Sequence, residues 1–292
     1  MEMNEKLREM LAAAYGERAE EISRGLSVRR MTTFRANTLK SSFSDVSETL
    51  TEAGIAFSVR NGAFVVAPED YSRVRALPIY ERGEIYMQSL SSMLPPLLLG
   101  ARAGESILDM CAAPGGKTSQ IAALTSNGAF ITACERDKVR AERLKHNLAL
   151  LGVKRTSVLM TDAASLDPAM KFDRILLDAP CTGSGTITPS SPGKFSEKLL
   201  AGCVKTQKKL LAHALRLLKK GGTLVYSTCS LLPAENEDIV RTALGKVELV
   251  DADIHPEGAS LLPALPGTLL VSPDEFYEGF FVARLRLISK NF

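Results

Sequence analysis

Ser106-Ile-Leu-Asp-Met-Cys-Ala-Ala-Pro-Gly-Gly-Lys-Thr118 is the segment that indicates the fold class of this chain most clearly. It begins with a short apolar run, continues through a turn of small residues, and leads into a helical pattern that extends to Leu124. Short apolar runs are typical of buried parallel strands, and glycines at a helix start let a ligand approach free N–H groups. The stretch therefore predicts a strand, a ligand-binding turn and a helix of an α/β sheet.

Strand and helix patterns alternate after this turn. The predicted strands are Ser106–Asp109, Ala129–Cys134, Thr156–Met160, Asp173–Leu177, Thr223–Tyr226, Glu248–Val250 and Phe280–Leu287. The predicted helices between them are Thr118–Leu124, Lys138–Leu151 and Glu197–Leu218. Alternation of this kind is typical of a parallel sheet with crossover helices, so we predict a mostly parallel, seven-stranded α/β sheet.

The chain before this region predicts a small α+β module. Its helices are expected over Met3–Tyr15 and after a cap at Ser44 or Asp45, and Thr33–Leu39 can be extended. A hairpin is predicted at Ala56–Val66, because Asn61-Gly62 tolerates the positive φ angles of a tight turn. We predict a division into an N-terminal module, 1–83, and a larger domain, 84–292.

Composition indicates a soluble globular protein. The chain has 292 residues, 45% of them hydrophobic and 24% charged, and a formal net charge of +3. Positive charge clusters between Arg24 and Lys40 and again between Lys194 and Lys220. Both stretches suit a polyanion, although solvated helix faces explain them equally well. We find no signal peptide and no apolar run long enough for a membrane span, so we expect no membrane partner.

The five cysteines are widely spaced and form no C-x-x-C pair. This pattern argues against a zinc site or a disulfide framework and favours a reducing cytoplasm. We therefore expect no metal. Cys181 and Cys229 each follow one of two consecutive strands, where reactive groups of α/β sheets gather. If they share a cleft, they indicate thiolate chemistry.

Acidic residues also follow successive strands. Glu135 lies roughly twenty residues beyond the glycine turn, where a carboxylate in a nucleotide-binding unit accepts ribose hydroxyls. Asp162 and Asp178 follow the next two strands. A P-loop is excluded because its pattern needs glycine at Cys111. The turn and the three acids favour a nucleoside cofactor, S-adenosylmethionine, over a triphosphate.

Several motifs closely resemble the Sun/Fmu family of RNA 5-methylcytosine methyltransferases, over nearly the whole chain. They are Asp109–Thr118, Asp178–Gly185, Tyr226–Ser230 with Glu235-Asn236-Glu237, Phe34–Lys40, Gln88–Pro96 and Glu278–Ala283. The resemblance implies a class I S-adenosylmethionine-dependent methyltransferase with a Rossmann-like sheet and an N-terminal module similar to an RNA-recognition fold. It implies methylation of cytosine carbon 5 in structured RNA, rRNA before tRNA, by a monomeric enzyme.

The resemblance also implies roles for individual residues. Cys229 would attack carbon 6 of cytosine, Cys181 would assist proton removal and release, and Asp178 would hydrogen-bond the base. Lys117 is a candidate for the positive charge that a thiolate needs. The expected cofactor-binding residues are Cys111, Ala112, Ala113, Pro114, Gly115, Gly116, Lys117, Glu135, Arg140, Asp162 and Asp178. The expected RNA-binding residues are Arg35, Lys40, Lys205, Lys208 and Lys209.

Two other functions remain as alternatives. In a DNA cytosine-C5 methyltransferase the cysteine of the Pro-Cys motif attacks the base, and Thr228-Cys229 together with the N-terminal module argues against it. A non-catalytic RNA-binding factor would have little need of the intact turn, three acids and both cysteines. One departure from the family is the loop 187–193, where an arginine-containing continuation is replaced. That loop bears on how RNA is held.

Overall fold

The computed structural model describes residues 3–188, 193 and 195–288. Within the atypical loop, residues 189–192 lie outside the described residues, as does Lys194 of the second basic stretch. The strands are β1 Thr32–Ala36, β2 Phe57–Arg60, β3 Ala63–Val66, β4 Ile85–Met87, β5 Ser106–Asp109, β6 Phe130–Cys134, β7 Thr156–Leu159, β8 Phe172–Asp178, β9 Leu218–Thr228, β10 Val247–Val250, β11 Thr268–Val271 and β12 Phe280–Leu287.

Helices connect these strands. The α-helices are α1 Glu5–Tyr15, α2 Arg18–Ser27, α3 Phe43–Glu52, α4 Tyr71–Arg75, α5 Pro78–Glu81, α6 Leu90–Leu99, α7 Gly116–Leu124, α8 Lys138–Leu150, α9 Glu197–Leu217 and α10 Glu237–Arg241. Short 3-10 helices occupy Pro68–Asp70, Ala163–Ser165 and Pro233–Glu235. The predicted helices α7, α8 and α9 are each present to within two residues at either end.

The larger sheet has the strand order β10-β12-β9-β8-β5-β6-β7. Its central pairs β9-β8, β8-β5, β5-β6 and β6-β7 are parallel, whereas β12 runs antiparallel to β9. The predicted α/β class with a Rossmann-like sheet is confirmed. The carboxyl ends of β5, β6, β8 and β9 lie along one edge, and this edge positions the candidate site.

An eighth strand, β11, joins this sheet beside the predicted seven. It pairs with the Phe280–Ala283 half of β12, while β10 pairs with the Arg284–Leu287 half. Two short strands thus cover the side of β12 that faces away from β9, which protects its backbone groups. Strand β11 was not predicted, because its four residues follow a proline-rich segment without clear alternation.

The smaller sheet is antiparallel, in the order β2-β3-β1-β4. The predicted hairpin turn is confirmed, since Asn61 and Gly62 have φ angles of 49° and 74°. The helix cap, however, is Ser42 and neither Ser44 nor Asp45. Ser42 accepts from the Asp45 N–H, and the Asp45 carboxylate accepts from the Ser42 N–H. Asp45 is therefore the third residue of a capping box rather than the cap itself.

Hydrophobic contacts in the N-terminal region do not follow the predicted boundary at residue 83. Leu7, Leu11, Ile22 and Leu26 of α1 and α2 belong to the core of the larger sheet. Strand β4 begins at Ile85, yet it completes the smaller sheet. Apolar helix faces pack where burial is greatest, irrespective of chain order. The division into 1–83 and 84–292 stays a prediction about separate modules.

Helix α6 was not predicted because Pro95 and Pro96 lie in its interior. Proline removes the N–H that would bond four residues back, so carbonyl oxygens in the preceding turn lose their helical donors. One such oxygen, that of Ser92, instead accepts from Gln88 Nε2 at 3.1 Å. Among the described residues, we find no helix with the length and apolar character needed to cross a bilayer.

Candidate active site

A cleft opens at the carboxyl edge of the parallel strands. Its volume is about 330 Å³, and its walls come from the loops after β5, β6, β7, β8 and β9 and from α9. Among the predicted site residues, its lining includes Cys111, Ala113, Glu135, Arg140, Asp162, Asp178, Cys181, Lys209 and Cys229. The structure therefore brings most of the predicted cofactor residues and both predicted reactive cysteines to one cavity.

The two cysteines lie side by side in this cleft. Cys181 is in the loop after β8, Cys229 directly follows β9, and their Sγ atoms are 3.3 Å apart. Both residues are partly exposed. The hydrogen bond with Cys229 and burial raise the pKa of the Cys181 thiol well above its ordinary value. This arrangement favours a protonated Cys181 that donates to the Cys229 sulfur.

An ion pair joins the start of α7 to the end of β8. Lys117 Nζ lies 2.8 Å from Asp178 Oδ2 and donates to Ser92 Oγ at 2.7 Å. Asp178 Oδ1 also accepts from the Ser227 hydroxyl at 2.7 Å. Burial alone would lower the pKa of Lys117, but the Asp178 carboxylate outweighs it and the pKa is raised. Lys117 is therefore a fixed positive charge beside the cysteines.

The small residues of the turn before α7 are needed for its shape. Gly115 has a φ of +108°, and a Cβ there would lie 3.1 Å from Leu144. At Gly116 a Cβ would lie 2.8 Å from the Tyr86 ring. Any larger residue would strain the backbone or displace its neighbours. Of the other predicted turn residues, Ala112 is buried and Pro114 is exposed.

Asp109 supports the turn from below. Its carboxylate accepts from the Thr118 hydroxyl at 2.7 Å, and its side chain is almost fully buried. Burial raises the pKa of Asp109 to about 6. The strand end and the helix start are thus linked through a side chain that faces the protein interior.

Glu135 and Arg140 connect the second strand end to the same turn. Arg140 Nη1 lies 3.2 Å from Glu135 Oε2, and Arg140 Nη2 donates to the Ala113 carbonyl at 3.0 Å. Glu135 Oε1 accepts from the Asp137 N–H at 2.9 Å. The Glu135 carboxylate therefore has a fixed orientation at the cleft, as an acceptor for paired hydroxyls requires.

Asp162 lies on the opposite wall, next to α9. Its Oδ1 accepts from the Ala164 N–H at 2.9 Å, and its Oδ2 pairs with Lys209 Nζ at 3.1 Å. Lys209 thus contacts a predicted cofactor residue. Lys205 and Lys208 are exposed on the same helix, where RNA could reach them.

Two of the predicted RNA-binding residues lie elsewhere than expected. Arg35 is only 6% exposed, and its guanidinium donates to Gln88 Oε1, the Gly116 carbonyl and Ser119 Oγ. Lys40 Nζ donates to the carbonyls of Arg82 and Leu150. Both side chains dock the smaller sheet onto the larger domain. That they contact RNA stays a prediction; the donors of buried Arg35 are used inside the protein, whereas Lys40 is exposed.

Glu235 belongs to a motif of the resemblance but was not predicted as a site residue. The structure buries it completely and bonds its carboxylate to the residues that follow both cysteines. The lining also includes Arg136 and Thr206, which were not predicted. A glutamate in a Pro-Ala-Glu-Asn run after a cysteine strand was the available signal. In the described part of the chain, no three His, Cys, Asp or Glu residues are grouped to hold a metal.

Comparisons with known proteins place this site in context. A family model described as 16S rRNA methyltransferase RsmB/F matches residues 96–286. A 28S rRNA (cytosine-C(5))-methyltransferase of Mus musculus is 36% identical over 285 residues, covering 90% of this chain and 36% of that protein. A tRNA (cytosine(72)-C(5))-methyltransferase of Pyrococcus horikoshii is 36% identical over 219 residues, covering 73% of this chain and 54% of that protein.

The fold is similar to solved structures as well. A crystal structure described as a methyltransferase homolog protein from Pyrococcus horikoshii is 35% identical, with a TM-score of 0.85. The match covers 96% of this chain and 94% of that chain. By contrast, the chain spans 36% of the length of the mouse relative and 54% of that of the archaeal tRNA enzyme.

Proposed function

The chain belongs to the 16S rRNA methyltransferase RsmB/F family, and on that premise we propose that it methylates carbon 5 of a cytosine in structured RNA, with rRNA as the substrate. The methyl donor in this proposal is S-adenosylmethionine. The observation that carries it is the pair of thiols 3.3 Å apart in a cleft that is also lined by Glu135 and, from the turn after β5, by Cys111 and Ala113.

The residues of the cleft fit this cofactor. Cys111 and Ala113 bring the turn that precedes α7 to the cleft, next to Glu135. Glu135 would accept the ribose hydroxyls, Asp162 would contact the base edge, and Arg140 would hold Glu135 in place. When bound, S-adenosylmethionine supplies a methyl group on a positively charged sulfur. We propose that Cys111, Ala112, Ala113 and Pro114 line the same subsite.

Cys229 is the proposed nucleophile. Its thiolate would add to carbon 6 of cytosine, which makes carbon 5 electron-rich enough to accept a methyl group. Lys117 supports the thiolate with its fixed positive charge. Asp178, held by Lys117 and Ser227, would hydrogen-bond the protonated ring nitrogen of the base.

Cys181 would complete the reaction. Once Cys229 is bonded to carbon 6, Cys181 loses the sulfur acceptor that is the first cause of its raised pKa. Cys181 can then release its proton to bulk solvent and, as a thiolate, take the proton from carbon 5, directly or through a neutral water. Breaking the bond between Cys229 and carbon 6 returns the thiolate and frees the methylated RNA.

RNA would approach over α9. Lys205 and Lys208 are exposed there, beside the cleft, and can neutralise phosphates. The target base must leave its stack to reach Cys229, which costs a few kcal/mol in nucleobase enzymes. Because one relative is a tRNA (cytosine(72)-C(5))-methyltransferase, tRNA is the second candidate substrate for the same chemistry.

The test combines purified protein, S-adenosylmethionine and total RNA. Wild type should methylate RNA, Cys229→Ala should not, and Cys181→Ala should accumulate a covalent RNA adduct stable in a denaturing gel. Cys203→Ala, on α9 and away from the cleft lining, is the matched control and should behave as wild type. Mapping the methylated cytosine distinguishes rRNA from tRNA.

Three outcomes would contradict the proposal. An adduct that needs Cys181 and persists without Cys229 would reverse the two roles. Methylation of DNA in place of RNA would change the substrate class. No methylation of any RNA by wild type would favour a non-catalytic RNA-binding protein.

A further inference from the structure

Glu235 is a buried carboxylate that connects the loops of both cysteines. It ends the 3-10 helix Pro233–Glu235 and is 0% exposed. Its Oε2 accepts from the hydroxyls of Thr182 and Ser230, each at 2.5 Å. Thr182 directly follows Cys181, and Ser230 directly follows Cys229. One side chain is therefore bonded next to each reactive thiol.

The other carboxylate oxygen of Glu235 strengthens this connection. Oε1 accepts from the Thr182 N–H at 2.9 Å and from Gln207 Nε2 at 3.1 Å. Gln207 also donates to the Pro180 carbonyl at 2.9 Å, so α9 holds the Cys181 loop from its other side. Four donors thus fix the carboxylate.

Within the described ranges, no Lys, Arg or His forms an ion pair with Glu235. Its negative charge is held by neutral donors alone. Burying a carboxylate without a counter-ion is costly even when it is hydrogen-bonded, and a glutamine of the same shape would avoid that cost. A carboxylate that is buried at this cost is expected to have a role that needs its negative charge.

Building on the proposed methyltransferase function, we propose that Glu235 is a positioning residue. It holds the two cysteine loops at one separation, and its charge keeps Cys181 protonated until Cys229 has bonded to the base. Both halves of the proposal follow from its place between Thr182 and Ser230.

The geometric half depends on how the loops leave the sheet. Adjacent strands are spaced at about 4.8 Å, and β8 and β9 are adjacent and parallel. Loops that follow such strands are free to diverge unless they are connected. The Gly185 N–H donates to the Cys229 carbonyl at 2.9 Å farther along the loop. Glu235 connects the loops at the residues next to the thiols, where the Sγ–Sγ distance is set.

The electrostatic half concerns the order in which the thiols ionise. Two thiolates 3.3 Å apart would repel each other, so one sulfur must keep its proton. The pKa of Cys181 is raised first by its hydrogen bond with Cys229 and by burial, and the Glu235 charge adds to this. The charge of Glu235, bonded to both the N–H and the hydroxyl of Thr182, therefore helps to keep the proton on Cys181.

Glu235→Gln tests the charge. The amide oxygen can accept from the two N–H donors, and the amide NH₂ can donate to the two hydroxyl oxygens, so the loops stay connected. At pH 8, alkylation of Cys181 by iodoacetamide, followed by peptide mass spectrometry, should be at least about threefold faster than in wild type. The matched control is Glu237→Gln, another buried carboxylate of the same motif, which is not bonded to either loop.

Thr182→Val tests the connection. It removes one hydroxyl donor and keeps the side-chain shape. The maximal methylation rate should fall about tenfold and the covalent RNA adduct should accumulate, while KM for S-adenosylmethionine changes less than about twofold. Thr182→Ser restores the hydroxyl and should restore the rate.

The outcomes separate this proposal from the proposed function. If wild type methylates no RNA, the function is wrong, but Cys181 alkylation still decides the role of Glu235. Alkylation of Cys181 in Glu235→Gln at the rate of Glu237→Gln overturns the electrostatic half. A normal rate and KM in Thr182→Val overturn the geometric half. If Glu235→Gln does not fold, wild type decides: Cys181 alkylated at pH 8 as fast as Cys203, which is also partly exposed, overturns the electrostatic half.

Discussion

Two polar clusters meet the first turn of α7, and they differ in what their charged groups face. The cysteine cluster, formed by Lys117, Asp178, Cys181 and Cys229, has its acid and both thiols at the cleft. The docking cluster, formed by Arg35, Gln88, Ser119 and Gln120, is closed, and each of its residues is buried. Both lie in motifs that resemble the same family. Resemblance alone does not say which charges meet a ligand; burial does.

The largest expected effect comes from removing the ion pair between Lys117 and Asp178 in the cysteine cluster. Lys117→Met leaves Asp178 as an unpaired negative charge beside the thiols, which disfavours the Cys229 thiolate. We expect methylation to fall about 10²–10³-fold in single-turnover assays. The control is Ser92→Ala, which removes the second partner of Lys117 and should cost less than about tenfold. A Lys117→Met rate within a few-fold of wild type would show that the ion pair is dispensable.

A substitution in the docking cluster should lower the free energy of unfolding and leave RNA binding unchanged. Arg35→Met leaves the Gln88 and Ser119 oxygens without the guanidinium donor, while the Gly116 carbonyl keeps the Ser119 hydroxyl; this should lower the free energy of unfolding by about 3 kcal/mol. Urea denaturation measures this. The salt dependence of RNA binding should stay unchanged, because Arg35 reaches no phosphate.

Lys205→Met is the matched control for Arg35. This exposed lysine should leave stability within about 0.5 kcal/mol and reduce the slope of log affinity against log salt by about 0.7–0.9. If Arg35→Met instead reduced that slope and left stability intact, the two clusters would have exchanged roles, and the docking assignment would be wrong.

The sequence predicted the larger sheet well because local signals and burial agree there. Strands β5 and β12 begin and end at the predicted residues, since continuous apolar runs between turns admit few alternatives. The sequence also predicted that Cys181 and Cys229 meet, because parallel strands align their carboxyl ends. Both predictions depend on residues that are neighbours in the chain or in the sheet.

The missed features depend on distant partners. Helix α6 contains Pro95 and Pro96, and Gln88 compensates for one of the lost bonds. The head group of Arg35 finds its acceptors more than fifty residues away, and a charge run gives no sign of that. Glu235 bonds to Thr182 across fifty-three positions. Side-chain contacts of this kind become visible only once the tertiary structure is known.

Asp109, which ends β5 and bonds to the first turn of α7, should make the stability of the protein depend on pH. Its pKa in the folded protein, about 6, is above the ordinary value of 3.8, so folding favours the protonated carboxyl. The stabilisation from Asp109 is therefore complete below about pH 4 and is lost as the pH rises through 6. Between pH 4 and pH 7 the free energy of unfolding should fall by about 2–3 kcal/mol from this residue.

Asp109→Asn isolates that contribution. Asparagine can still accept from Thr118 but does not titrate, so the difference in unfolding free energy between wild type and variant should change with pH in this window. Urea denaturation at pH 4.5, 5.5 and 6.5 measures it. A difference that is constant with pH would mean that Asp109 ionises in the folded protein as freely as in the unfolded chain.

The smallest expected effect is at Lys209, which lies between the proposed cofactor and RNA surfaces. Its ion pair with Asp162 is largely exposed, and such pairs contribute about 0–1 kcal/mol. Lys209→Met should therefore leave stability nearly unchanged and shift the S-adenosylmethionine dissociation constant by less than about threefold. If the Lys209 ammonium also contacts phosphate, the slope of log RNA affinity against log salt falls by about 0.7–0.9 in Lys209→Met. The same decrease is expected for the neighbouring variant Lys208→Met. A lost phosphate contact weakens RNA binding and leaves the cofactor subsite intact. If Lys209→Met instead weakens S-adenosylmethionine binding more than about tenfold and leaves the salt dependence of RNA binding unchanged, Lys209 belongs with the cofactor residues.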